Sequence, residues 1–414
     1  MRKLVAIALR FAKRQLPRWA AVSLSVIALS SHAQVPTPPD PVAAAIQSAL
    51  AQGPLASGIT QPNYAAILRF YSLRAFQPAW IGQNEQAAAN TALQTLKNSA
   101  AQGLEPADYH LTDLERLEGS PAKSASVLFE LALTESLLHY ESDVHLGRVS
   151  PQAVDRDVSL PANPFDPVAG TQQALIQNRL PEYLAQLPPQ HSQYRELAEA
   201  LARYRAIEAS GGWQPIDNAG TIRPDLQDPR ALALRARLAL EDPSFSANQD
   251  DPGNGQLTEA IRRYQARNNL RPDGIAGHET LVALNVPVST RISTIIVNME
   301  RWRWMPRSLG TRYIAVNAAD ASLRVVQDGK TVIASRVIVG RPRSATPIFD
   351  AMVTGVTVNP FWNVPPSIAR NEILPKVRRN PGYLASHHMF IDGSGAVRQS
   401  PGADNALGYV KLEM

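Results

Sequence analysis

One change of hydrophobic rhythm divides this sequence. From about residue 311 the apolar period changes from helical to alternating, in β-branched runs. A helix presents one face every three to four residues and a strand every second residue. The chain therefore needs an α+β multidomain fold, helical first and mainly β last. Its 414 residues suffice for two or three domains. In the first part, residues 87–101 carry Leu93, Leu96 and Ala100 on one face. Residues 127–144 carry Leu128, Leu131, Leu133, Leu137 and Leu138, which predicts a central helix apolar nearly all round. Residues 194–209 form another amphipathic stretch, and Gly211-Gly212 ends the helical region.

Residues 227–287 read as a compact unit of their own. Leu257, Ile261 and Tyr264 share a helical face, Arg271-Pro-Asp-Gly274 is a turn by composition, and a short helix follows before Pro287. In the last part, strands are expected over 313–316, 323–326, 331–339 and 352–358. Asp328-Gly329 between the second and third is a two-residue hairpin signal. Pro360, Pro365 and Pro366 then predict a rigid loop.

The net charge of +5 is concentrated at the N-terminus. The first 33 residues hold Arg2, Lys3, Arg10, Lys13, Arg14 and Arg18 with no acid, leaving 35 basic and 36 acidic residues in the remainder. Such a near-neutral remainder lacks the electrostatic footprint of a nucleic-acid binder. The basic start, the apolar run of residues 19–29 and Ser31-His32-Ala33 predict a secretory signal peptide over 1–33, cleaved after Ala33. An uncleaved anchor is the other reading, but a spanning helix needs about 20 apolar residues. No later segment has that length, so no integral span is expected after cleavage. Residues 34–60, rich in Pro and Ala, are expected to form an extended tether. The sequence contains no cysteine. An exported fold without cysteine has no disulfide staples, no thiol nucleophile and no thiolate metal site.

Two stretches resemble known families. Leu257-Thr-Glu-Ala-Ile261, Tyr264-Gln265, Pro272-Asp-Gly274, Gly277 and Thr280-Leu281 are similar to the three-helix peptidoglycan-binding domain. That likeness implies a substrate-side role for Tyr264 and Gln265; plain core and turn duties account equally for Leu257, Ile261, Gly274 and Gly277. From residue 297 onward, Arg301-Trp302-Arg303-Trp304, Val339-Gly340-Arg341-Pro342, Asn359-Pro-Phe-Trp362, Val364-Pro-Pro366 and Asn405-Ala-Leu-Gly408 resemble the large multidomain class of L,D-transpeptidases with a YkuD-type catalytic domain. Phe70-Tyr71, Gln77-Pro-Ala-Trp80, Pro106-Ala-Asp-Tyr109 and Gly147-Arg-Val149 are similar to the helical scaffold of that class. The likeness implies a helical scaffold domain over 61–215, a peptidoglycan-binding domain over 227–287 and a mainly β catalytic domain over 297–414. It further implies an exported, periplasmic, cell-wall-associated protein whose partner is peptidoglycan, both glycan strands and peptide stems.

The chemistry implied is acyl transfer without a cofactor. A cysteine thiolate attacks a donor-stem carbonyl and expels D-alanine; the amine of a second stem then resolves the thioester. In the family, the His and the Cys follow the Asn-Ala-Leu-Gly segment. Here Asn405-Ala-Leu-Gly-Tyr-Val-Lys411 is followed only by Leu412, Glu413 and Met414, so the catalytic domain is expected to be incomplete and no catalytic residue is assigned. Ser394 and Ser400 with His387-His388 upstream lack the spacing of a held base, and the eight histidines show no paired metal-ligand spacing, so no metal is expected. Asn359 and Trp362 are the candidate substrate-cleft wall. Residues 299–380 carry 13 Lys/Arg against 5 Asp/Glu, which suits stem carboxylates or simply a solvated basic face. Trp302 and Trp304 fit either a sugar platform or interdomain packing. A β-sandwich lacking its last strands is expected to leave strand edges and apolar faces open. Two function classes remain: an L,D-transpeptidase line inactive in this form, or a non-catalytic peptidoglycan-binding wall protein.

Overall fold

The computed structural model describes residues 40–53, 63–119, 123–154, 156–224, 228–247, 255–341 and 345–414. The expected signal peptide and the first residues of the expected tether lie outside these.

Residues 41–51, expected within an extended tether, instead form helix α1 (Pro41–Ala51). Asp40 caps it by accepting from the Val42 N–H at 2.9 Å, and Pro41 supplies a pre-set helical φ. Ala43, Ile46 and Leu50 are buried against the scaffold core. A Pro- and Ala-rich composition reads as a linker, but the apolar residues at i, i+3 and i+7 decide the matter once a core is available.

The scaffold continues through α2 (Tyr64–Leu73), α3 (Gln86–Lys97), α4 (Leu111–Glu118), α5 (Lys123–Leu146), α6 (Pro151–Val154), α7 (Pro167–Ile176), α8 (Leu180–Gln186) and α9 (Ser192–Ala209). α5 is the predicted central helix, and α1, α2, α3, α4 and α7 all touch it. It is less apolar than it reads. Glu130, Thr134, Ser136, Glu141 and Asp143 are buried among its leucines. Buried charge survives only where it is hydrogen-bonded. The Glu130 carboxylate accepts the N–H groups of Ala79 (2.5 Å), Trp80 (3.0 Å) and Ile81 (3.1 Å) and the Tyr71 hydroxyl (2.9 Å). The Gln77-Pro-Ala-Trp80 turn therefore hangs on one side chain.

Glu141 accepts the Thr171 hydroxyl at 2.7 Å and the Tyr183 hydroxyl at 3.1 Å. Burial pushes its pKa up to about 8, against the downward pull of those two hydroxyls. The unfolded carboxyl titrates near pH 4.3. The folded state thus keeps a proton that the unfolded chain releases, and stability falls as pH rises from about 4.5 to 8. His145, which burial and Arg307 hold down to about 4, acts in the opposite sense, and only below about 6.5. The window from pH 6.5 to 8 isolates Glu141 from that histidine. Glu141→Gln is expected to flatten the fall in melting temperature there, measured by circular dichroism; an unaltered slope would refute the assignment.

The second unit comprises α10 (Ala231–Glu241), α11 (Gly255–Arg267) and α12 (His278–Leu284), as the compact segment predicted. Its core holds Leu234, Leu238, Leu257, Ile261, Tyr264, Leu281 and Leu284, closed by Ile216 and Ile222 from the preceding strap. Helix α13 (Val288–Trp304) then runs back along α9, where Ile292, Ile295 and Met299 pack on Tyr194 and Leu201. Residues 297–304, expected to open the β domain, belong to this helical junction instead. Trp304 is buried and Trp302 lies half-buried 5.1 Å from the His191 ring, so packing accounts for both.

α13 is tied to the scaffold by polar contacts as well. Glu300 accepts the N–H of Arg148 at 2.6 Å and of Val149 at 3.2 Å. Gly147 just before them has φ +94°, and a Cβ there would come within 2.6 Å of the Glu300 carboxylate and 2.9 Å of Trp304. The Gly147-Arg-Val149 motif is thus the shape needed for α13 to dock.

The remaining strands are β1 (Val158–Ser159), β2 (Arg312–Asn317), β3 (Ser322–Gln327), β4 (Lys330–Arg336), β5 (Ile348–Phe349), β6 (Gly355–Val358), β7 (Trp362–Asn363), β8 (Met389–Ile391), β9 (Val397–Gln399) and β10 (Val410–Glu413). The expected hairpin forms between β3 and β4, with Asp328 and Gly329 both at positive φ, +50° and +74°. Among the described residues the strands make four separate sheets: β2-β3-β4, β7-β9-β8, the pair β6–β10, and a parallel bridge of β1 to β5. Their apolar side chains stay largely uncovered. Val332, Ile333, Val356, Val358 and Val410 are each more than half exposed, and every residue of β4 faces solvent. Strand edges and apolar faces are thus open in this region.

Candidate functional site

The four candidate substrate-side residues fall into two places. Tyr264 and Gln265 lie on α11, in the interior of the second unit. Tyr264 is fully buried, and its hydroxyl accepts from the Arg291 guanidinium at 3.1 Å. Burial raises its pKa. Gln265 is almost as deep, and its amide is fully engaged. Its Nε2 donates to Asp273 Oδ1 (2.9 Å), the Ile275 carbonyl (2.9 Å) and Thr280 Oγ1 (3.1 Å), while its Oε1 accepts the Gly274 N–H at 2.9 Å. Asp273 also accepts the Ile275 N–H at 3.0 Å, and that bond together with Gln265 lowers its pKa. Neither side chain therefore presents a free atom at the surface. They shape the Asp273-Gly274 turn and hold α12 against α11, which corrects the expectation of direct contact. Gln pairs are easy to read as ligands because the same amide serves both purposes.

Arg291 also donates to the Ala283 carbonyl at 2.9 Å, which fastens the end of α12 to α13. Arg291 is half-buried, whereas Arg237 is buried. It pairs with Glu241 at 2.8 Å, donates to the Leu284 carbonyl at 3.0 Å and lies 3.6 Å from the Trp213 ring centroid. Sequence reading missed both arginines, because an arginine on an amphipathic helix normally points outward.

Asn359 and Trp362 do come together, at the turn between β6 and β7. Asn359 sits in the left-handed region at φ +51° and donates its N–H to the Tyr409 carbonyl at 2.8 Å. Trp362 pairs with Gln399 across β7–β9 and packs half-buried on Val364, Ile373 and Val397. Between them Phe361 stays exposed, edge-on to Phe390 at 6.3 Å and with the Arg398 guanidinium 5.0 Å from its ring. This wall rests on two buried polar residues. Asn405 donates to the Pro360 carbonyl at 3.1 Å and the Ser400 carbonyl at 2.9 Å. Gln399 donates to the carbonyls of His387 at 3.1 Å and Asp404 at 2.9 Å, and accepts the Ala406 N–H at 3.0 Å. Both stand in segments where an isolated Gln or Asn gives no sign of burial.

His387 and His388 lie on the surface of this region. The His387 ring stacks on Tyr383 at 4.0 Å, and its Nδ1 is shared between the Tyr383 carbonyl and the Ser386 hydroxyl. That hydroxyl also donates to the Tyr383 carbonyl at 3.0 Å, so its proton is engaged away from the ring. His388 lies 3.7 Å from Asp404, both well exposed. No serine here has a held base of the triad kind. Among the described residues no three His, Asp or Glu side chains converge on a possible ion site. The same residues include no single helix long and apolar enough to cross a membrane.

Three family models match the chain in series. Residues 65–201 match a scaffold domain, residues 228–284 a "Putative peptidoglycan binding domain", and residues 311–414 an L,D-transpeptidase catalytic domain. The chain is thus similar, module by module, to L,D-transpeptidases, with the scaffold, peptidoglycan-binding and catalytic-domain matches in that order. A curated protein of Haemophilus influenzae, named "Putative L,D-transpeptidase", is 28% identical over 184 residues, which cover 39% of this chain and 36% of the relative. The alignment therefore spans about a third of that relative's length.

Proposed function

We propose that this protein is exported to the periplasm and works on peptidoglycan as a cross-linking member of its family, with the β region made for acyl transfer between peptide stems. The serial order of the three matched modules carries this reading. Such transfer needs a sulfur that forms a thioester and releases it to an amine, and these 414 residues contain no cysteine. In this form the polypeptide holds the wall without performing the covalent step. The second reading, a non-catalytic wall-binding protein, draws support from the contrast between the closed core around Tyr264 and the open sheets after residue 311.

Two measurements on the full chain test this. Purified sacculi are expected to pull the protein down. Mass spectrometry after incubation with a stem tetrapeptide is expected to show the unmodified mass. Failure to sediment with sacculi would overturn the wall assignment, and a covalent adduct or muropeptide cross-links would overturn the non-catalytic state of this polypeptide.

A further inference from the structure

Residues 305–311 carry the chain from the end of α13 into β2, and the scaffold grips the first three of them from four places. Asn163, ahead of α7, donates to the Met305 carbonyl at 3.0 Å. His191, at the start of α9, meets the Pro306 carbonyl through its Nε2 at 2.9 Å. The Arg307 guanidinium donates to the Leu187 carbonyl beyond α8. Through its Nε it also donates to the Nε2 of His145, at the end of α5, at 3.3 Å. The His145 ring is itself held by a near-parallel stack on Phe165, with 4.0 Å between centroids.

Of these four holds, the one at His145 reverses sense with a proton. Arg307 Nε is a donor, so His145 Nε2 must accept, and the imidazole is neutral with its proton on Nδ1. A second proton turns Nε2 into a donor and sets an imidazolium against a guanidinium 3.3 Å away. His191 differs, because a protonated ring still donates to the Pro306 carbonyl. Among the described residues Arg307 has no carboxylate partner, and its Nη1 and the Nδ1 of His145 are buried without a hydrogen bond. The groups facing the pair are Arg303 of α13 and the Tyr194 hydroxyl of α9, with Arg195 beside His191. The acids on these elements are committed or turned outward. Asp143 serves Tyr109 and His139, Glu141 serves Thr171 and Tyr183, Asp166 pairs with Arg69, and Glu300 pairs with Arg303. Glu182 of α8 and Glu196 and Glu199 of α9 are exposed.

We propose that His145 is an acid-released catch: its neutral ring holds Arg307 against the end of α5, and its protonation frees the segment between α13 and β2. Burial and Arg307 hold the His145 pKa down to about 4, whereas a released imidazole titrates near 6.5. The held state therefore binds fewer protons than the released one. The hold is complete above about pH 6.5 and is lost as pH falls toward 4, each unit between them weighting release about tenfold. The Arg303–Glu300 pair keeps α13 docked meanwhile, and the β1–β5 bridge involves no titratable side chain. Loosening is thus confined to residues 305–311.

The test uses the full chain. It contains no cysteine, so Ser308→Cys, at an exposed position, gives a single attachment point for a nitroxide on the segment. Electron paramagnetic resonance is expected to show the ratio of mobile to immobile label rising about tenfold from pH 6.5 to 5. Glu141 stays protonated throughout that window and adds nothing to the change. In His145→Gln the carboxamide oxygen accepts from Arg307 at any pH, and the ratio is expected to hold within about twofold. Arg307→Met is expected to be mobile at both pH values, and His191→Gln to keep the full response. A nitroxide at Glu196→Cys on α9, with far-UV circular dichroism, separates release from unfolding: both are expected to be the same at the two pH values. A ratio independent of pH in the parent, the same rise in His145→Gln, loss of the response in His191→Gln, or a rise shared by the α9 label would each overturn the proposal.

Discussion

Glu130→Ala is expected to destabilise the scaffold by about 3–5 kcal/mol, since three N–H groups lose their acceptor at about 1–3 kcal/mol for each one buried. At the size of this helical region that corresponds to a fall of on the order of 10 °C in melting temperature. The reason is geometric. Two carboxylate oxygens serve three successive backbone N–H groups and the Tyr71 hydroxyl; alanine leaves the three N–H groups without their acceptor, while the Tyr71 hydroxyl keeps the residue-130 carbonyl and Thr134 Oγ1. Glu130→Gln is expected to give little rescue, since its NH₂ group would face donors. Urea unfolding of both variants, followed at 222 nm, checks this. A Gln variant as stable as the parent would show that the turn at Ala79–Ile81 does not depend on the second oxygen.

The second large effect is expected at Arg303. Its guanidinium is 1% exposed, pairs with Glu300 at 2.7 Å, contacts the Tyr194 hydroxyl at 3.2 Å and donates to the Gln102 carbonyl. Arg303→Met keeps most of the volume but removes every donor, leaving Glu300 partly buried without its counter-ion. A loss of about 3 kcal/mol is expected for the junction. Hydrogen exchange read by mass spectrometry is expected to speed up at least tenfold across residues 288–304 while the core of the second unit stays protected. Unchanged exchange in α13 would mean that apolar packing of Ile292, Ile295 and Met299 suffices to hold it.

These two residues also mark where sequence reading stops. The central helix was legible because its leucines recur at helical spacing, and the β3–β4 hairpin because Asp328-Gly329 permits two positive φ angles in succession. The acids of α5 were not legible as buried groups. The partners of Glu130, the N–H groups at residues 79–81, lie about fifty residues away, and those of Glu141 and Asp143 sit on Thr171, Tyr183 and Tyr109, so nothing local announces them. The same holds for Arg237, Arg291 and Arg303, whose carbonyl and hydroxyl partners come from other elements. Composition misled at residues 41–51, where a stretch rich in Pro and Ala conceals a capped amphipathic helix. The Asn359–Trp362 motif lies at the turn between β6 and β7, where Phe361 stays exposed. Tyr264-Gln265 looked similar as text but sits inside its unit.

Helix α13 has a mechanical meaning. Arg291, near its start, is fastened to the second unit, and Arg303, near its end, is clamped into the scaffold just before the strands begin. Its 17 residues make a stiff rod of roughly 25 Å. A rod clamped at both ends works as a ruler: it sets the standoff between the second unit and the first strands by helix length rather than by linker slack.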